Sequence, residues 1–173
     1  MIKEKVLTRF IVKESIFPYT LKFTALLGIS IAAPFFHFQA VTGTIVNATL
    51  IIAAVILGKK EAIAIGIFPS IISIITGLLI PDVVPLIPFI IFGNIILILT
   101  FSFLKKNNYW KGIIWGSVSK FLFLYLAGFA MAKIFESSVL AKIAMSMFSW
   151  QQLLTALSGG IVAYAALRVI KKT

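Results

Sequence analysis

From Phe23 to Gly58 the chain carries no Asp, Glu, Lys or Arg. As one helix this stretch would be roughly 54 Å long, at about 1.5 Å per residue. The hydrocarbon core of a bilayer is about 30 Å thick. One crossing cannot contain it, so the chain must turn within it. The polar break Pro34 to Gln39, "PFFHFQ", is where it can. The stretch therefore predicts two membrane spans joined by a tight hairpin. Composition agrees. Of 173 residues, 61% are hydrophobic and 12% charged, against about 45–50% and about 25% in soluble domains. Mean hydropathy is +1.10. Lipid is the solvent that such a chain fits.

The remaining spans follow from the charged and Pro-rich interruptions. The first is about Ile16–Phe35 and the second about Val41–Gly58. After "GKKE" the third is about Ala62–Ile80, ended by "PDVVP". The fourth is about Val84–Leu104, followed by "KKNNYWK", where Tyr109 and Trp110 read as interface aromatics. The fifth is about Gly112–Ile134. After "ESSVLAKIAMSM" the sixth is about Phe148–Ile170. The fold class is an all-α integral membrane protein with six transmembrane helices. Residues 16–173 form one membrane domain. Residues 1–15 form a short amphipathic segment on the membrane surface, with Val6, Leu7, Phe10 and Ile11 on one face and Lys5, Arg9 and Lys13 largely on the other. That segment lacks the continuous apolar core and small-residue cleavage site of a signal peptide.

The net charge of +11 tests this count. With the N-terminus inside, thirteen cations fall on the inner side: Lys3, Lys5, Arg9, Lys13, Lys22, Lys59, Lys60, Lys105, Lys106, Lys111, Arg168, Lys171 and Lys172. Only Lys133 and Lys142 fall outside, and Lys120 is left within the membrane. That bias places both termini in the cytoplasm. Loop charge thus accounts for the basic composition, and nucleic acid is not an expected partner. Lys22 lies near enough to the headgroups to snorkel.

Polar residues inside apolar spans carry the chemistry. Lys120 lies roughly 13 Å into the fifth span, where insertion of a lysine costs about 2.5–3.5 kcal/mol. It can snorkel, bond to a neighbouring helix, or meet an anionic ligand. No Asp or Glu falls within any predicted span. An internal carboxylate partner is therefore missing, and an external anion becomes more attractive. Asn94 in the fourth span and Asn47 in the second need partners in hydrocarbon, from another helix or from a ligand. Trp150, Gln151 and Gln152 stand at the outer end of the sixth span, as an interfacial belt or as part of a ligand rim. His37 and Gln39 lie in the first outer turn. There is one His and no Cys, so no metal site is expected. Pro69 is expected to kink the third span, with Ser70 near the freed carbonyl. "ESSVLAKIAMSM" predicts a short amphipathic helix with Val139, Leu140, Ile143 and Met147 on one side, capping a cavity or resting on the membrane. Ala25, Gly28 and Ala32 form a small-residue stripe on the first span, which lets another helix approach closely, within this chain or from a partner.

A six-span chain of this length with both ends cytoplasmic resembles the substrate-binding S components of energy-coupling factor (ECF) transporters. The run from Thr42 to Asn94, "TGTIVNATLIIAAVILGKKEAIAIGIFPSIISIITGLLIP...IPFIIFGN", is similar to a subset of that family with unassigned substrate. The resemblance implies a subunit of a bacterial cell membrane that captures a vitamin or other small micronutrient outside. A transmembrane coupling subunit and two ATPase subunits would then drive release inside. ATP is used by those partners, and this chain carries no cofactor. The family's docking motif, two alanines separated by three residues, matches Gly28 and Ala32, with glycine in place of the first alanine. The family's outer-half pocket, built by the fourth to sixth helices and outer loops, brings in Asn94, Lys120, Gln151 and Gln152, with His37 and Gln39 as a lid. No acidic or aromatic signature matches a member of known specificity.

Two other classes compete. A membrane enzyme would need carboxylates, a His pair or an activated serine, and the spans supply no carboxylate, so no catalytic residue is assigned. A non-transport membrane subunit, of assembly or immunity type, needs no site at all. The chain has no G-x-x-x-x-G-K-[ST] sequence, so any ATP-driven step belongs to a partner.

Overall fold

The computed structural model describes residues 18–75, 81–135 and 138–170. The surface segment expected over residues 1–15 lies outside the described residues, as do the ends of the chain and the end of the third span. Among the described residues the protein is helical, with no strand. Helix α1 covers residues 18–32 and tightens into a 3₁₀ turn, Ala33–Phe36. Then follow α2 (Gln39–Ile56), α3 (Lys59–Ile75), a 3₁₀ stretch (Pro81–Leu86), α4 (Ile87–Leu104), α5 (Tyr109–Ile134), α6 (Val139–Met147) and α7 (Gln151–Ile170).

Several boundaries differ from the predicted spans, each for a local reason. The first hairpin is tighter than expected. His37 takes φ 53° and closes the 3₁₀ turn with its amide on Pro34 O, 3.1 Å, which lets α2 begin at Gln39. Helix α2 stops at Ile56 because Gly58 adopts φ 126° and bonds back to Ala53 O, an ending that favours glycine. Helix α4 starts after a Pro-rich 3₁₀ stretch, with proline tolerated in its first turn. Helix α5 begins at Tyr109, a turn earlier than predicted. The Asn108 side chain accepts from the amides of Trp110, 2.8 Å, and Lys111, 3.2 Å, and so caps it. The sixth span is broken by a turn over residues 148–150, and α7 starts at Gln151.

Five segments among the described residues are long and apolar enough to cross a bilayer. In one of them, Val139–Ile170, only α7 is a single long helix. Helix α3 is described over Lys59–Ile75 and opens with Lys59, Lys60 and Glu61. Only 17% of the apolar window of α1, and 33–39% of the others, is buried inside the chain. Phe92, Phe103, Leu126 and Ile161 all point outward. That is the reverse of a soluble core and the arrangement lipid stabilises.

Inside, two apolar clusters hold the bundle. One joins Leu50, Ile51, Ile65, Ile98, Phe101 and Ile113. The other joins Leu86, Leu124, Met131, Ala144 and Phe148. Along α4 and α5, Asn94 and Lys120 fall between them. Helix α7 packs closely on α2 and α5 through Gly159 and Gly160. A Cβ at Gly159 would lie 2.7 Å from Asn47 Cβ, and one at Gly160 would lie 2.5 Å from Ile113 Cγ2.

Side-chain bonds mark the two ends of the bundle. At one end Tyr19 OH donates to Glu61 Oε1, 2.8 Å, Lys105 Nζ to Ala54 O, and Tyr109 OH to Gly160 O, 2.9 Å. Partial burial lowers the pKa of Lys105 from its ordinary value. At the other end Thr42 Oγ1 donates to Ala33 O, 3.0 Å, and Gln39 Nε2 to Met147 O, 3.1 Å. The first end carries Lys59, Lys60, Lys105, Lys106, Lys111 and Arg168. The second carries Lys133 and Lys142. Helix α6, capped by Ser138 Oγ accepting from the Ala141 amide at 3.2 Å, lies at that second end. Its packed face is Leu140, Ala141, Ile143, Ala144 and Met147. Val139, expected on that face, is instead exposed, because its position turns it outward.

Candidate functional site

Four buried polar side chains, one each from α2, α4, α5 and α7, converge on one point. Lys120 is only 3% exposed, and Asn47 and Asn94 are as deeply buried. Lys120 Nζ donates to Asn47 Oδ1, 2.7 Å, and to Asn94 Oδ1, 2.8 Å. The side chain therefore does not snorkel. The amide nitrogens face away from the ammonium. Asn94 Nδ2 donates to Gly66 O on α3, 3.3 Å, and Asn47 Nδ2 makes a long contact, 3.5 Å, to Thr155 Oγ1 on α7. Thr155 Oγ1 in turn donates to Gln152 O, 3.2 Å. One ammonium thus ties five helices together through neutral amides.

This network forms part of the wall of a cavity of about 170 Å³. Pro34 of the first hairpin contributes one edge. Helix α2 supplies Gln39, Thr42, Gly43, Val46 and Asn47. Helix α3 supplies Pro69 and Ser70, and α4 supplies Ile87, Ile90 and Asn94. Lys120, Met147, Gln152 and Thr155 complete the lining from α5, α6 and α7. Lys120 is the only charged residue among them, and no carboxylate among the described residues faces the space. The other fourteen lining residues divide evenly between polar and apolar, while most of the exposed lining surface is apolar.

Met147 closes the cavity beside α6. Its carbonyl accepts from both Gln39 Nε2, 3.1 Å, and Gln152 Nε2, 2.8 Å. Two helices are thereby fastened to the end of α6. Pro69 lies within α3 on the cavity wall. It has no N–H to give the carbonyl four residues earlier, so the helix ladder is interrupted beside the site.

Of the residues singled out from sequence, the structure brings Lys120, Asn94, Asn47, Gln39 and Gln152 to this cavity. It leaves the other three outside. Gln151 is exposed, Trp150 is 62% exposed, and His37 is exposed in the hairpin. Adjacent helical positions diverge by about 100°, so Gln151 and Gln152 cannot share a face. The sequence reading missed Thr155, Met147, Ile87 and Ile90 as lining residues. The family resemblance placed the pocket on the fourth to sixth helices and outer loops, whereas α2 supplies more of the wall than any other element. Ala25, Gly28 and Ala32 are all exposed on α1, and a Cβ at Gly28 would meet nothing within 4 Å. The stripe therefore packs on no described part of this chain. No group of His, Cys, Asp or Glu among the described residues has the makings of a metal site.

Comparison with models of protein families, with curated proteins and with solved structures finds no significant match.

Proposed function

We propose that this chain is the substrate-capture subunit of an ATP-driven importer of the ECF type, holding a small micronutrient in a cavity that opens to the outer face of the cell membrane. The observation that carries the reading is the cavity itself. It combines a buried ammonium, neutral amides and aliphatic walls within helices apolar enough to sit in lipid. A structural lysine needs no cavity beside it, and ligand sites are characteristically concave, mostly apolar and marked by a few placed polar groups.

Three further features support it. The positive charges sort to the end of the bundle away from the cavity mouth, and that end becomes cytoplasmic by the positive-inside rule. The Ala25–Gly28–Ala32 stripe is turned outward, as a docking face for a transmembrane coupling subunit requires. The chain has no phosphate-binding loop, so two partner ATPases supply the energy.

The test is gentle purification of the tagged chain from its native membranes. The reading expects ATPase subunits and a membrane partner to co-purify, with a discrete small molecule released on denaturation. Recovery of the chain alone, with no retained small molecule, would count against it.

A further inference from the structure

We propose that the cavity selects a small monocarboxylate with a compact apolar body over phosphorylated or neutral molecules of the same shape, with Lys120 Nζ receiving the carboxylate. The proposal rests on the reading of the cavity as a ligand site and names its ligand class.

Charge is the first argument. Among the described residues Lys120 is the only ion in the lining, and no carboxylate there offsets it. A buried charge is stabilised by one opposite charge at hydrogen-bond distance. A monoanion brings the site to neutrality. A phosphate monoester carries about −1.5 to −2 at neutral pH, which would leave negative charge unbalanced among Val46, Ile87 and Ile90. Helices α2 and α4 both begin near the mouth, but Asn47 and Asn94 lie eight and seven residues further in. That is roughly 10–12 Å along the axis, whereas the helix-end field fades within the first turn.

The second argument is the arrangement of donors. An ammonium has three N–H groups. Two are directed to Asn47 Oδ1 and Asn94 Oδ1, which leaves one for a single carboxylate oxygen. The same two amide oxygens set acceptor lone pairs around the ammonium, so crowding a three-oxygen anion there is unfavourable. No arginine fork, the usual bidentate partner of phosphate, is present in the lining.

Size and surface give the third. The space of about 170 Å³ resembles the engineered apolar cavity of about 150 Å³ that admits benzene. Val46, Pro69, Ile87, Ile90 and Met147 give a body of that size a mostly apolar surface, to which Thr42, Ser70 and Gln152 add a few hydroxyl and amide groups.

The experiment uses the full chain in lipid nanodiscs, with empty nanodiscs as control. Calorimetric titrations compare benzoate, phenyl phosphate and benzamide, which share one ring and differ in charge. The expected result is saturable benzoate binding, with the other two weaker by at least tenfold. Lys120→Met should abolish the preference for benzoate over benzamide. Phenyl phosphate or benzamide binding as tightly as benzoate, or no saturable benzoate binding, would overturn the proposal. The comparison of three probes on the unaltered chain decides the matter even if the variant does not fold. A phosphorylated or neutral molecule retained from native membranes would sink the carboxylate assignment and leave substrate capture standing. Absence of any retained molecule would instead sink the capture reading.

Discussion

Lys120 holds its place through two carbonyl oxygens rather than through an ion pair. Removing one of them should therefore be felt. Asn94→Leu leaves the ammonium with one described partner and should lower stability by about 1–3 kcal/mol, read as a fall in the thermal midpoint in detergent. Adding Lys120→Met to that variant should recover part of the loss, because the stranded charge goes with it. A coupling of at least about 0.5 kcal/mol in this double-mutant cycle is expected, and strict additivity would show that the two side chains do not interact in solution. At this scale the sequence was informative where a polar group stood alone in an apolar span. Lys120, Asn94 and Asn47 stood out for that reason, since hydrocarbon forces such groups to find partners. Thr155 gave no such signal. A hydroxyl on a membrane helix satisfies itself on its own backbone, as Thr155 does on Gln152 O. Trp150 and His37 were marked by residue type and by their place at the outer end, and neither fixes the direction of a side chain.

The helices meet at the site because small residues let them. Gly159→Ala would force a Cβ to within 2.7 Å of Asn47 Cβ and 2.9 Å of the Ala48 amide nitrogen. We expect a loss of about 1–3 kcal/mol from overpacking, and weaker ligand binding because Asn47 moves with α2. Gly28→Ala is the matched control. Nothing lies within 4 Å of the added atom, so stability in thermal unfolding should hold or rise by about 0.5–1 kcal/mol. Equal losses from both would mean that α1 is packed in a way the structure does not show. Helix existence was legible throughout, because apolar runs of bilayer length admit little else. Helix ends were less so. The extra turn at the start of α5 depends on Asn108 acting as a cap, and the late start of α7 on a turn at residues 148–150. Both are decided by a few local hydrogen bonds that leave hydropathy unchanged.

For the whole molecule, the sorting of cations between the two ends makes a topological claim. The chain has no cysteine, so single cysteines report without background. A cysteine at Lys142 should react with an impermeant maleimide applied to intact cells, and one at Lys106 should react only after lysis. The opposite pattern would invert the bundle and turn the cavity mouth inward. Docking belongs to this scale too. Gly28→Leu should leave ligand binding unchanged while reducing recovery of the coupling subunit and ATPases in pull-downs. Normal recovery would remove the α1 stripe from the interface. The all-helical, lipid-facing character could be read from sequence because it is a sum over many residues; against six expected spans, five candidate segments among the described residues are long and apolar enough. A cavity was expected, but its full wall was not, since it arises where α2, α3, α4, α5 and α7 fail to fill a common space, and no single segment encodes that.

The most direct measurement is native mass spectrometry of the protein released from mild detergent, for the unaltered chain and for Lys120→Met side by side. A discrete small-molecule adduct on the unaltered chain, absent from the equally folded variant, is the result predicted by a ligand cavity organised around Lys120. An unaltered chain that flies bare, or an adduct retained equally by both proteins, would contradict it.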